Sequence, residues 1–157
     1  MVEKMKKSLL WCLVCLVCLI PCSGAALAAE ADAAQDAADG YVYDAAGLLT
    51  ADEISDLNDE IASFMEESGW NVYAVTTDDA QGKSATAYAD DFFDEHSTEQ
   101  EDGVVLLIDM DNREITISTC GIAIRYLTDS RIDNILDAAY AKISNGDYNG
   151  CMHSMLT

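Results

Sequence analysis

Any chemistry done by this chain falls to its carboxylates. Asp and Glu number 29 against 8 Lys and Arg, while the two histidines, His96 and His153, stand alone. Neither histidine has zinc-ligand spacing or a cysteine partner at a motif. Ser84 and Ser118 lack the G-x-S-x-G elbow of an activated serine, and no glycine-rich loop exists to cradle a phosphate. Asp109-Met110-Asp111-Asn112 begins like a calcium loop and then fails as one. Arg113 and Glu114 occupy the next ligand and glycine positions, and Cys120 stands where the bidentate Glu belongs. The same four residues are ordinary hairpin-turn material, and they read as a turn.

The charge is unevenly spread. Residues 1–9 carry three of the basic residues (Lys4, Lys6, Lys7) and one acid (Glu3); the remainder holds 5 basic and 28 acidic residues, a net of −23. A phosphate backbone is repelled by such a surface, which excludes nucleic acid as a partner. Divalent cations, basic partners and solubility remain as reasons for the charge.

Lys4, Lys6 and Lys7 followed by the apolar run Leu9–Ile20, the break at Pro21–Gly24 and the small residues Ala26-Leu27-Ala28-Ala29 form the pattern of a signal peptide over residues 1–29. The run is short for a membrane span. The expectation is a secreted or extracytoplasmic protein with no transmembrane segment in the mature chain, anchored at its N-terminus only if the signal stays uncleaved. Four of six cysteines fall inside this segment. The other two, Cys120 and Cys151, either form a disulfide or serve separately as small buried hydrophobes.

The remaining residues must supply the elements that position the acids. Residues 30–40 are small and acidic without apolar period, a disordered leader. Thr50-Ala51-Asp52-Glu53 is a capping box opening a helix with Ile54, Leu57, Ile61, Phe64 and Met65 on one stripe, stopped by Gly69. Residues 71–77 read as a strand and 84–95 as a second helix. The unalternating Val104–Ile108 suits a central strand covered on both faces, and 114–119 returns as a hairpin strand. Thr128 opens a third helix, Asn145-Gly146 ends it, and a short last helix begins near Asp147. The fold class is α/β: a small mixed sheet, made of a βαβ unit plus an antiparallel hairpin strand, flanked by helices on both faces. In that arrangement Asp78, Asp79, Asp109 and Asp111 share one sheet end. Asp102 and Thr119–Gly121 share the other, with Thr128 and Asp129 able to fold over it. The placement of Asp44 depends on the course of the entry loop.

Several strings occur together in order: Val42-Tyr43-Asp44-Ala45-Ala46-Gly47-Leu48-Leu49, Lys83-Ser84 before Tyr88-Ala89, Asp102-Gly103-Val104-Val105-Leu106-Leu107, Ile115–Thr119 with Gly121, and Leu127-Thr128-Asp129. In these the chain resembles the TPM domain family, named for a thylakoid lumen protein, a photosystem repair protein and a nematode receptor modulator. The resemblance covers residues 41–157 and departs from the family at Thr119-Cys120-Gly121, where a T-G-x-G turn is usual, and at His96–Glu101. The final helix is expected to be cut short relative to the family. Asp44, Asp102 and Asp129 lie on the matching strings and are the candidate metal ligands. Oxygen-only ligands favour calcium or magnesium. The resemblance implies a divalent-cation-binding, protein-interacting module in envelope or membrane-protein maintenance, its partner a protein such as a membrane complex. The alternative it implies is a metal-assisted acid phosphatase, with the three acids holding the metal that activates a water.

Overall fold

The computed structural model describes residues 40–98 and 101–157. The expected signal segment and all of the expected leader except Gly40 lie outside the described residues. The elements in chain order are β1 (Val42–Asp44), α1 (Ala51–Ser68), β2 (Asn71–Thr77), α2 (Ala85–His96), β3 (Gly103–Asp109), β4 (Glu114–Cys120), α3 (Ala123–Tyr126), α4 (Asp129–Ile143) and α5 (Tyr148–Leu156).

The strands form one sheet in the order β1-β2-β3-β4. β1, β2 and β3 are parallel, and β4 pairs antiparallel with β3. Strand parity sorts the side chains between two layers. On one face Val42, Val72, Ala74, Val104, Leu106 and Ile108 pack with Leu57 and Ile61 of α1, Ala139 of α4 and Met152 of α5. On the other, Tyr73, Val75, Val105 and Leu107 pack with Ala85, Ala89 and Phe93 of α2. Every residue of β3 is buried, the reason its sequence shows no alternation. The mixed sheet between helical layers is the fold expected from the sequence.

Two features depart from expectation. β1 was not foreseen as a strand; three residues are too few to show a period. It adds a second parallel crossover, and the pair has an unusual consequence. β1, β2 and β3 are successive neighbours, yet α1 and α2 lie on opposite faces. The two crossovers therefore have opposite hands, so one departs from the right-handed rule. The short α3 was also unforeseen.

Local signals explain the element ends. Thr50 N–H donates to Glu53 Oε2 at 2.8 Å and Glu53 N–H to Thr50 Oγ1 at 3.3 Å, the reciprocal box that starts α1. Gly69, at φ 71°, closes α1 by donating its N–H to Met65 O. No described helix is long and apolar enough to cross a membrane.

Candidate functional site

Parallel β1, β2 and β3 bring their carboxyl ends to one edge of the sheet, the place where ligands of open α/β sheets bind. Asp44, the last residue of β1, is aligned there with Thr76. The Ala45-Ala46-Gly47 turn folds back, Gly47 N–H donating to Asp44 O at 3.2 Å. That turn aims two amides at the Asp44 carboxylate: Leu48 N–H reaches Oδ1 at 3.0 Å and Leu49 N–H reaches Oδ2 at 2.9 Å. The hydroxyl of fully buried Thr76 donates to the same Oδ1 and accepts from Ala46 N–H at 3.2 Å. The carboxylate is thus fixed by three donors, with lone-pair capacity left on Oδ2.

Two further acids lie within electrostatic range. Glu53, in the first turn of α1, is held below the usual carboxylate value by the Thr50 amide and hydroxyl, which outweigh desolvation and the weaker repulsion of Asp147 and Asp44. Asp147 caps α5 through Gly150 N–H at 2.8 Å, and Lys142 Nζ stands 3.8 Å from its Oδ2. Sequence reasoning passed over Thr76, Glu53 and Asp147 as site residues. Only the cap motifs at Glu53 and Asp147 could have flagged them.

The β3–β4 turn completes this end. Asp109, 1% exposed, accepts Asn112 N–H at 2.9 Å and Asn112 Nδ2 at 2.7 Å. Asp111 accepts Ala80 N–H at 3.2 Å, and Asp79 accepts Gln81 N–H at 2.8 Å. These carboxylates serve backbone groups of the turn and its neighbouring loop. A cleft of about 640 Å³ opens beside them, lined in part by Asp109, Arg113, Glu114, Tyr140 and Tyr148.

Asp102 and Asp129 do not join Asp44. Asp102 precedes Gly103, which is aligned with Asn71, whereas Asp44 is aligned with Thr76 five residues further along β2. Asp102 is thus six residues out of register with Asp44, about 20 Å along the strands at strand rise, far beyond the two bond lengths of a shared calcium. Asp102 Oδ1 instead accepts Ile122 N–H at 2.6 Å. Gly121 makes that approach possible, since a Cβ there would lie 2.0 Å from Asp102 Oδ1, and its φ is +63°. Asp129 opens α4 in the first turn, where its charge complements the helix dipole. The far end of α4, Ile143 and Ser144, lines the cleft at the carboxyl end, so Asp129 lies toward the opposite end. The expected three-carboxylate pocket is therefore split between the two ends. Among the described residues no group of three or more His, Cys, Asp or Glu side chains converges as a metal cage.

Of the two alternatives for the cysteines, the structure shows the unpaired one. Cys120 and Cys151 are both free thiols. Cys120 packs with the α2 layer and Cys151 with the α1–α4–α5 layer, so the sheet stands between them. Burial pushes the Cys151 thiol up to about 11.

A four-stranded mixed sheet between helical layers, with polar side chains gathered beyond its parallel carboxyl ends, defines a small α/β domain. The TPM domain model matches residues 42–157, and the chain belongs to that family. UPF0603 protein YdjH of Bacillus subtilis (strain 168) is 32% identical over 108 residues, 69% of this chain and 42% of that protein. The chain thus spans less than half of that relative's length. The fold is similar to the N-terminal domain of a P. gingivalis protein, with TM-score 0.67 and 19% identity over 76% of this chain and 80% of that one. It is also similar to the N-terminal domain of the cg2496 protein from Corynebacterium glutamicum, with TM-score 0.60, 15% identity and 76% of each chain covered.

Proposed function

We propose that this chain is an extracytoplasmic TPM domain that binds calcium or magnesium at the carboxyl end of its sheet and engages a protein partner in envelope or membrane-protein maintenance. The observation that carries the cation reading is the Asp44 carboxylate, fixed by the Leu48 and Leu49 amides and the Thr76 hydroxyl, with Glu53 feeling the charges of Asp147 and Asp44. Three acids in one field repel each other, and a hard cation relieves that repulsion. The donor set suits such an ion: it is all oxygen, and Asp44 keeps an unused lone pair. With few protein ligands, water completes the coordination shell and affinity is modest. Export is supported by the n-region, apolar run and small-residue site of residues 1–29.

Calcium titration followed by thermal melting tests the site. A ligand bound only by the folded state adds about 2.7 kcal/mol at a hundredfold excess over Kd. Millimolar calcium raises the Tm, and the increment vanishes in Asp44→Asn but survives in Asp102→Asn. Sodium at matched ionic strength giving the same rise, or an increment lost in Asp102→Asn and kept in Asp44→Asn, sinks the proposal.

One observation favours the hydrolase as a second reading. Arg113 lines the cleft beside Asp109 and Glu114, and among the described residues it has no ion-pair partner within 4.0 Å. A phosphate group could use that guanidinium. This reading requires metal-dependent hydrolysis of p-nitrophenyl phosphate that is lost in Asp44→Asn and weakened in Arg113→Ala. Calcium binding without turnover leaves the interaction module as the function.

A further inference from the structure

Single exposed apolar side chains are common and mean little; clustered ones mark interaction surfaces. Four large hydrophobic residues of the described chain are exposed, and three fall within five consecutive positions: Ile122 at 39%, Ile124 at 56% and Tyr126 at 55%. The Tyr126 ring meets that of Trp70 at 5.6 Å, and Trp70 in turn meets Phe64 at 6.2 Å. Aromatic and large apolar residues of this kind form the cores of protein interfaces.

The segment is held rigidly in place. Asp102 accepts Ile122 N–H, Leu127 N–H closes onto Ala123 O at 2.8 Å, and Arg131 Nη1 donates to Tyr126 O at 2.7 Å. Ala123 is fully buried and anchors the turn from beneath. The loop therefore presents Ile122, Ile124 and Tyr126 outward without first having to order itself, which lowers the entropy cost of docking.

The surroundings indicate the partner's charge. Trp70 follows directly on α1, whose last turn carries exposed Glu66 and Glu67 and no basic residue. Acids at a helix C-terminus oppose the dipole, so the end of α1 adds its own partial negative charge to theirs. Asp102 and Asp129 lie at the same end of the sheet, and Arg125 and Arg131 answer only part of this charge. Outside residues 1–9 the chain carries a net of −23, which opposes self-association and anionic lipid alike.

We infer that the Gly121–Leu127 loop with Trp70 is a docking surface for a cationic amphipathic segment of a partner protein, its apolar side chains seated on Ile122, Ile124 and Tyr126 and its Lys or Arg facing Glu66, Glu67 and Asp129. The inference rests on the interaction-module reading above and gives that module a surface and a partner chemistry.

A Leu/Lys amphipathic helical peptide is the probe, titrated into ¹⁵N-labelled protein. Amide shifts confined to residues 121–127, Trp70 and the last turn of α1 are expected. Replacing Ile124→Ser and Tyr126→Ser together weakens binding by about tenfold or more, since two buried apolar contacts are lost. Both positions are exposed, so the variant's unperturbed spectrum confirms its fold. Glu66→Gln with Glu67→Gln removes part of the salt sensitivity. Unchanged affinity in the Ile124/Tyr126 variant, shifts spread over the whole acidic surface, or equal binding of a Leu/Glu peptide overturns the inference. Stronger engagement of the same residues by phosphatidylcholine vesicles overturns it in favour of lipid, and concentration-dependent dimerisation lost in the variant overturns it in favour of a second copy. The calcium increment at Asp44 is independent of this loop, so loss of docking with that increment intact rejects the surface and leaves the cation reading standing.

Discussion

Asp44→Ala should be among the most damaging single substitutions of a half-exposed residue in this domain. The side chain accepts from the amides of Leu48 and Leu49 and from the Thr76 hydroxyl, and it bears charge. Charge-assisted hydrogen bonds are each worth about 1.5–3 kcal/mol net. Water reaches part of the vacated site, because Leu48 and Leu49 are only half-buried, whereas the Thr76 hydroxyl is sealed. A total loss of about 2–4 kcal/mol follows, a large share of the roughly 5–15 kcal/mol that holds a domain together. Asp44→Asn keeps the shape and one carbonyl oxygen but turns its NH₂ toward a donor, and should cost about half as much. Urea denaturation followed by circular dichroism, in EDTA so that cation binding does not contribute, gives the midpoints. With m of about 2 kcal/mol per molar, the middle of the range for small proteins in urea, Asp44→Ala moves the midpoint by about 1–2 M. A double-mutant cycle with Thr76→Val should return coupling of about 1 kcal/mol or more. A shift under about 0.5 M with additive mutations would refute the reasoning, because the carboxylate would then not be part of the turn's structure.

Two other perturbations separate causes that one substitution would confound. Gly121→Ala meets both a left-handed φ of +63° and a Cβ contact of 2.0 Å with Asp102 Oδ1, whereas Gly69→Ala meets only the backbone cost at φ +71°, with nothing within 4 Å. Gly69→Ala should lose about 1 kcal/mol in urea denaturation and Gly121→Ala clearly more; equal losses would mean that Asp102 does not grip the turn. The Cys151 thiol gives a pH dependence. Burial lifts its folded-state pKa from the ordinary 9.0 to about 11, so between those values the unfolded chain has released a proton that the folded chain still holds. Stability contributed by the buried neutral thiol is full below pH 9 and falls as pH rises toward 11. The urea midpoint of the wild-type protein should therefore drop more steeply across that window than that of Cys151→Ala, and parallel slopes would contradict it.

The helices and the central strand were legible because each carries its own signal. Thr50 with Glu53 and Gly69 marks both ends of α1, the unbroken Val104–Ile108 marks a strand buried on both faces, and Asp109–Asn112 marks its turn. The contact between Asp102 and the Gly121 turn followed from the hairpin, since Gly103 and Cys120 must face each other once β3 and β4 pair. Cysteine pairing was not legible, because it depends on which face of the sheet each thiol meets. Cys120 ends a strand on the α2 side and Cys151 rides on a helix of the other layer.

The candidate site turned on a single element the sequence does not announce. Val42-Tyr43-Asp44 has no period to read, yet its pairing decides where Asp44 goes. A residue that ends a parallel strand lies at the carboxyl edge of the sheet, and a residue that precedes one lies at the amino edge. Once β1 pairs parallel with β2, Asp44 and Asp102 are forced apart, whatever the loops do. The same geometry accounts for the different surroundings of the two acids. At the carboxyl edge the β1–α1 turn directs free amides inward, so Asp44 becomes an ordered anion with capacity to spare. At the amino edge the chain leaves β4 through a left-handed glycine, Asp102 holds the Ile122 amide, and the residues beyond it are carried outward as an apolar loop. The two proposals thus assign different ligands to opposite edges of one small sheet: a hard cation to the edge of the oriented Asp44 carboxylate, and an apolar, basic segment to the edge that exposes Ile122, Ile124 and Tyr126.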